Sequence, residues 1–255
     1  MANRNAHILE EMTWPEVKAA LPDLKVVVLP IGSTEQHGPN TSFSTDTGRA
    51  DGFAKRVAAR MYPQALAVPP IGYGISYHHM RFPGSATLKP ETFMAVVYEI
   101  VESYTKHGLR TFLIVNGHGG NVPALQLVTM KLRYELGVKI AYLSPTTVAR
   151  EEVEAGKSSP LLGHACENEA SQLLYLGHER MVNSDALAPG EIRQPQYPHA
   201  GFQGRIQIPQ YFDEVTANGA LGDARGASWE YGRSTVEAAV ERVAEFLEAF
   251  IADEE

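Results

Sequence analysis

The chain has 255 residues, 44% hydrophobic and 20% charged, with a formal net charge of −8, which is enough to bury one substantial core and ordinary for a globular protein. Acidic and basic residues are interspersed without a basic block, which argues against nucleic acid or an anionic membrane surface as a partner. The single cysteine, Cys166, excludes an intrachain disulfide and fits a reducing compartment; with no apolar run near the ~20 residues of a membrane span and no secretory signal pattern, one domain (1–255) in the cytoplasm is expected.

Apolar runs of strand length alternate with segments of helical period, and no internal repeat interrupts them. "KVVVLPI" (25–31) reads as a strand covered on both faces. Residues 46–61 place Ala50, Phe53, Ala54, Val57 and Met61 on one helical stripe. "ALAVPPI" (65–71) is a second strand, and 89–108 a helix with Pro90 near its start and Gly108 past its end. "TFLIVNG" (111–117) is the clearest buried strand, followed by a helix that opens near Asn121 and Pro123 and runs to about Leu136. A strand at 139–145, a helix at 167–177, an irregular stretch rich in Pro, Gly and Tyr at 178–226 and a long helix at 227–252 complete the chain. This alternation predicts an α/β fold, a layered α/β/α domain with a mostly parallel sheet. In such sheets ligands gather beyond the carboxyl ends of the strands.

Two loops at such ends carry unusual residues. "GSTEQHGPNTSFSTD" (32–46) follows the first strand with little to bury, yet it holds Glu35, His37 and Asp46. Glu35 and His37 are two apart, so an extended backbone points them to the same side, roughly 6–7 Å apart at Cα. Asp46, just before the next helix, suits a helix cap or a metal ligand. "NGHGGN" (116–121) puts His118 between glycines that allow a sharp turn and a close approach. "GHACENEAS" (163–171) adds His164, Glu167 and Glu169 around a helix start. Each group alone has a bland reading as a solvated side chain or cap; together at strand ends they suggest a metal site. Three carboxylates (Glu35, Asp46, Glu169), two neutral imidazoles (His37, His118), two divalent ions and one bridging hydroxide would make a neutral centre. The mixed ligands fit Zn, Mn or Fe.

"LPIGSTEQHGPN…STD", "YGISYHHMRFPGSATL", "IVNGHGGN" and "GHACENEAS" stand in an order and spacing that resembles the creatininase family, over roughly residues 8–250. The resemblance implies a creatininase-type fold, two metal ions per chain and commonly a homohexamer. It implies Glu35, His37, Asp46 and His118 as metal ligands, with Asp46 bridging. Creatinine hydrolases carry a glutamate two residues after the equivalent of His118, where this chain has Gly120; the resemblance to Gly-Gly members gives that role to Glu169, although Cys166 and Ala170 depart from their pattern. His164 matches a substrate-side histidine able to donate a proton, and Glu167 lies near enough in sequence to compete. Ser76 and His79 match substrate-binding positions.

The implied activity is hydrolysis of a C–N bond, a cyclic or linear amide of a small polar molecule, by a metal-bridging hydroxide. The alternatives are hydrolytic C–C ring opening of an oxidised cyclic polyol of the 3-dehydro-inosose type, a mycofactocin-type peptidase and, more distantly, a non-catalytic metal-binding scaffold. Creatinine itself fits poorly, because the stacking tryptophans of creatinine hydrolases have no counterpart in Trp14 or Trp229. Arg81 and the Tyr/Arg/Gln-rich segment 192–211 suggest a polar or anionic substrate instead. A dinucleotide fingerprint, a Walker sequence and a G-x-S-x-G elbow are all lacking.

Overall fold

The computed structural model describes residues 7–200 and 206–253, so residues 201–205 of the Tyr/Arg/Gln-rich segment lie outside the described residues. In chain order the elements are β1 (His7–Ile8), α1 (Trp14–Ala20), β2 (Val26–Ile31), α2 (Thr45–Arg60), β3 (Ala65–Ala67), α3 (Pro90–Thr105), β4 (Thr111–Asn116), α4 (Val122–Leu136), β5 (Lys139–Leu143), α5 (Pro145–Val148), α6 (Arg150–Gly156), β6 (Leu162–His164), α7 (Glu167–Tyr175), α8 (Phe212–Val215), β7 (Leu221–Gly222) and α9 (Trp229–Ala252). Five strands form a parallel sheet in the order β1-β3-β2-β4-β5, and β6 pairs antiparallel with β7 apart from it. The expected α/β fold with a mostly parallel sheet is therefore the observed one.

The sheet is covered on both faces. Val26 and Val28 of β2, with Ala65, Ala67, Leu113 and Val115, pack against apolar residues of α2 and α9. Their alternating neighbours Val27, Leu29, Ile31, Leu66, Phe112 and Ile114 pack against α3 and α4. All six residues of β2 are buried, which is why the strand reads as an unbroken apolar run. Burying each such side chain contributes about 1.5–3 kcal/mol.

This arrangement positions the polar loops. β2 lies between β3 and β4; its outgoing chain enters α2 on one face, whereas β4 leads into α4 on the other. The connections diverge at the carboxyl ends of two adjacent strands, the crevice where open α/β sheets bind ligands. Gly117 lets the two sides close up: a Cβ there would lie 2.2 Å from the Asp46 carbonyl oxygen.

Several boundaries differ from expectation. β5 ends at Leu143, before Pro145 opens α5. β3 stops at Ala67 because Pro69 and Pro70 follow and offer no N–H to a ladder. α2 begins at Thr45, so Asp46 lies inside its first turn rather than before it. Among the described residues no helix is long and apolar enough to cross a membrane.

Candidate metal centre

Glu35 and His37 come from the loop after β2, Asp46 from the first turn of α2, His118 from the loop after β4 and Glu169 from the first turn of α7. All five are buried. Asp46 stands in the middle. Its Oδ1 lies 3.3 Å from His37 Nε2 and its Oδ2 lies 3.3 Å from His118 Nδ1. On the first side, His37 Nε2 is 3.9 Å from Glu169 Oε2. On the second, His118 Nδ1 is 3.1 Å from Glu35 Oε1. The aspartate thus faces two half-sites, one with His37 and Glu169, the other with Glu35 and His118.

The hydrogen bonds around these groups fit a cation better than they fit each other. His37 Nδ1 donates to the Glu35 carbonyl at 3.2 Å, and His118 Nε2 donates to the Ile75 carbonyl at 3.0 Å. A carbonyl can only accept, so each imidazole is fixed with its other nitrogen aimed at the cluster, the usual outer support of a metal-ligating histidine. Yet His37 Nε2 and Asp46 Oδ2 are buried without a hydrogen-bond partner, although buried polar groups are nearly always paired. Unpaired inward-facing donor atoms of imidazole and carboxylate type fit a divalent transition metal. As a helix cap Asp46 would accept backbone N–H groups, and its buried Oδ2 accepts none.

The charges agree. Burial alone would lower the pKa of His37, but the Asp46 carboxylate and then Glu169 hold it up to about 9. Burial likewise opposes a charged His118, and Glu35 and Asp46 override it, holding His118 well above the ordinary histidine range. Burial raises Glu35, but His118 and His79 together bring it down to about 2; burial likewise raises Asp46, but His37 and His118 together pull it well below the carboxylate range. Without metal, protons on the two histidines balance the carboxylates in the positions that cations would take.

Glu169 has a third support. Its Oε1 accepts from Arg49 Nη1 at 2.6 Å, and its Oε2 accepts from the Ala165 N–H at 2.6 Å. Ala165 has φ of 53°, a left-handed conformation that is uncommon outside glycine and tends to be retained at functional sites. Arg49 is itself buried and also donates to Gln172 and Thr146.

The remaining sequence candidates separate clearly. His164 joins the cluster: its Nδ1 is 3.7 Å from Glu35 Oε1, while its Nε2 donates to the Gln36 carbonyl at 2.7 Å. Burial, then the neighbouring His37, lowers its pKa to about 4. Glu167 does not join. It accepts from the N–H groups of Ser158 and Ser159 at 2.9 and 2.8 Å and from the Ser158 hydroxyl. The reason is helical geometry, since residues two apart on α7 lie on opposite sides, and Glu169 faces the cluster. The expectation that Glu167 could compete with His164 as the proton donor is therefore corrected.

Ser76 and His79 are fully buried beside Glu35. Ser76 Oγ donates to Glu35 Oε2 at 2.7 Å, and His79 Nε2 lies 3.5 Å from Glu35 Oε1. Their geometry is that of supports for Glu35, beside the cluster where the substrate-binding expectation places them. Gln36, Arg49 and Phe212 escaped sequence reading. Gln36 donates to the Gly219 carbonyl at 3.1 Å and accepts from the Gly38 N–H at 2.7 Å, which leaves its amide N–H toward His79 Nδ1 at 2.8 Å. Phe212 packs its ring 4.3 Å from His79 and 4.8 Å from His164. Only Arg49 left a signal, a charge three residues after Asp46 on the same helical face.

A cavity of about 390 Å³ touches this cluster at Glu169, the one candidate ligand on its lining, within the usual range for small-molecule sites. Glu169, Arg49 and the glycines flanking His118, Gly117 and Gly119, are among its lining residues. Neither tryptophan lines it. Position 120 cannot carry a side chain in this backbone, because a Cβ would lie 2.3 Å from the Ile75 carbonyl oxygen and 2.4 Å from His118 Nε2. A glutamate could not act from there, and the third carboxylate at the cluster comes from α7.

The creatininase family model, described as creatinine amidohydrolase, matches residues 10–247. The chain is 30% identical to a mycofactocin precursor peptide peptidase of Mycolicibacterium smegmatis over 206 residues, 78% of each chain. It is 29% identical to a creatinine amidohydrolase of Pseudomonas putida over 257 residues, covering 93% of this chain and 94% of the relative. A solved structure described as creatininase Mn has a TM-score of 0.79 and 27% identity, over 96% of this chain and 98% of that one.

Proposed function

The chain belongs to the creatininase family, whose members are hydrolases, and from that premise we propose that it is a two-metal hydrolase cleaving the C–N bond of a cyclic or linear amide in a small polar molecule. The observation that carries this reading is Asp46, with one oxygen toward each half-site. His37, Asp46 and Glu169 would hold one divalent ion, and Glu35, Asp46 and His118 the other, with Zn, Mn or Fe as candidates. Such ions, when bound, lower the pKa of water and polarise a carbonyl oxygen.

His164 moves the proton. Its Nε2–H is anchored on the Gln36 carbonyl, so Nδ1 is its exchangeable position and points toward the cluster. A neutral imidazole there accepts a proton from the attacking water and returns it to the leaving nitrogen, so hydrolysis ends as a carboxylic acid and an amine. The Gln36 carbonyl and the Phe212 ring, 4.8 Å away, keep that imidazole in place. Creatinine remains a poor fit, since no tryptophan stands in the cavity. A peptide bond is the second reading, favoured by the likeness to a peptidase.

Activity on a panel of amides, formamides and short peptides tests the reading. Chelator-treated protein should be inactive and regain turnover with Mn or Zn. His164→Asn should lower kcat by about 10²–10⁴-fold, the range for loss of a general acid–base group, with metal content unchanged. Undiminished hydrolysis by metal-free protein, or a kcat unaffected by His164→Asn, would overturn it.

A further inference from the structure

Arg81, the residue that suggests an anionic substrate in the sequence, is already engaged. Its Nη1 lies 3.3 Å from Asp213 Oδ1 and 3.1 Å from Glu214 Oε1, and its guanidinium stacks 3.6 Å over Tyr211. A different arginine is available. Arg150, the first residue of α6, lines the same cavity as Glu169 and is exposed. Among the described residues its guanidinium has neither an ion-pair partner nor a hydrogen-bond partner. The other acid on the cavity wall, Glu154, is taken by Lys157 at 2.5 Å. Ser144 and Thr147 add hydroxyl-bearing residues to the lining, and Asn168 an amide.

The inner wall is also more positive than its carboxylates suggest. Arg49 is buried and bound to Glu169, so its charge belongs to the site. Three carboxylates and a hydroxide against two divalent ions and Arg49 would leave one positive charge over, and Arg150 on the cavity lining adds a second. A low-dielectric cleft of one sign concentrates the opposite charge. A planar guanidinium with free N–H groups matches a carboxylate with two parallel bonds.

We propose that the substrate is an amide that carries a carboxylate, and that Arg150 binds this carboxylate while the scissile amide lies at the Glu169 end of the cavity. This rests on the hydrolase reading for the position of the amide, whereas the anion subsite stands on Arg150 itself. A cavity of this volume is about 9 Å across if round, within the range of a small-molecule pocket, so the two groups of the substrate are separated by a few atoms.

The test uses the metal-loaded full-length protein and three pairs of probes: the N-formyl derivatives of glycine, β-alanine and 4-aminobutyrate, each against its neutral primary amide. Affinity is read as KM where a probe is turned over and as a calorimetric Kd where it is not. At one spacer length or more, the acid should bind about tenfold tighter than its amide, as a charge-assisted pair implies. That ratio should fall toward one in Arg150→Gln and be partly kept in Arg150→Lys, with metal content unaltered. If no pair is discriminated by more than about twofold, or if Arg150→Gln keeps the full ratio, the anion subsite is refuted. Neutral amides hydrolysed without acid preference would sink the subsite and spare the hydrolase; acid preference without any turnover would do the reverse.

Discussion

Glu35 and Glu169 stand on either side of Asp46 and are held in opposite ways. Glu35 is gripped by neutral groups, the hydroxyls of Ser76 and Ser33 at 2.7 and 3.2 Å, with His79 and His164 turned toward its other oxygen. It is buried and does not line the cavity. Glu169 is gripped by a full positive charge, Arg49, and by an N–H from the left-handed Ala165, and it borders the cavity. A carboxylate held by neutral donors keeps its charge for a cation, while one shared with a guanidinium gives part of it away. The Glu35 half should therefore bind its ion more tightly, and the Glu169 half should be the exchangeable, substrate-facing one.

The largest effect should come from the residue that belongs to both halves. Asp46→Asn keeps the shape of the side chain and removes its charge, and turnover should fall by more than the ~10–100-fold typical of losing an outer-shell partner. A steady-state assay with saturating metal checks this; a loss within that range would mean that Asp46 supports the ligands rather than joining the halves.

Ser76→Ala should weaken metal binding by about 10–100-fold in the Glu35 half alone. A competition titration against a chelator should then show one of two dissociation steps displaced. Equal displacement of both would remove the distinction between the halves.

The pH response of the metal-free protein comes next. His37 has a folded pKa raised from 6.5 to about 9, and His118 is raised as well. Their protonated forms stabilise the fold fully below about pH 6.5, and that contribution is lost as pH rises through about 9. Chelator-treated protein should thus lose thermal stability across this window, and metal-loaded protein should not, because ions displace those protons. Thermal unfolding from pH 6 to 10 with and without chelator reads this directly. A flat profile for the metal-free form would contradict the charge arrangement.

The smallest effect on chemistry is expected from Glu167→Gln. Its carboxylate ties the 158–159 turn to α7, so stability should drop by about 1–3 kcal/mol, the cost of unmaking buried hydrogen bonds. The kcat of the folded, metal-loaded fraction should be unchanged; a selective loss of kcat would return Glu167 to the proton-transfer step.

What could be read beforehand followed from locality. β2 and β4 are runs of apolar residues covered on both faces, so their place and parallel pairing show in composition alone. Glu35, His37, Asp46 and His118 sit directly after those strands, and strand ends are where α/β sheets gather ligands. What resisted reading depends on contacts between distant segments. Ser76 and His79 lie in a polar loop like any substrate loop until the fold sets them beside Glu35, 41 residues away for the serine. Phe212 reaches His164 from an irregular stretch with no periodicity to mark it. The two- and three-residue strands β1, β6 and β7 are too short to leave a pattern. Glu167 was in principle legible, since helical spacing alone puts it opposite Glu169.

The most direct measurement is metal content per chain, by plasma mass spectrometry after reconstitution and exhaustive dialysis, for the wild type, Glu169→Ala and Asp46→Ala. A centre of two unequal halves joined at Asp46 predicts about two ions, about one and nearly none, in that order. Two ions retained in Glu169→Ala, or two still held by Asp46→Ala, would contradict it.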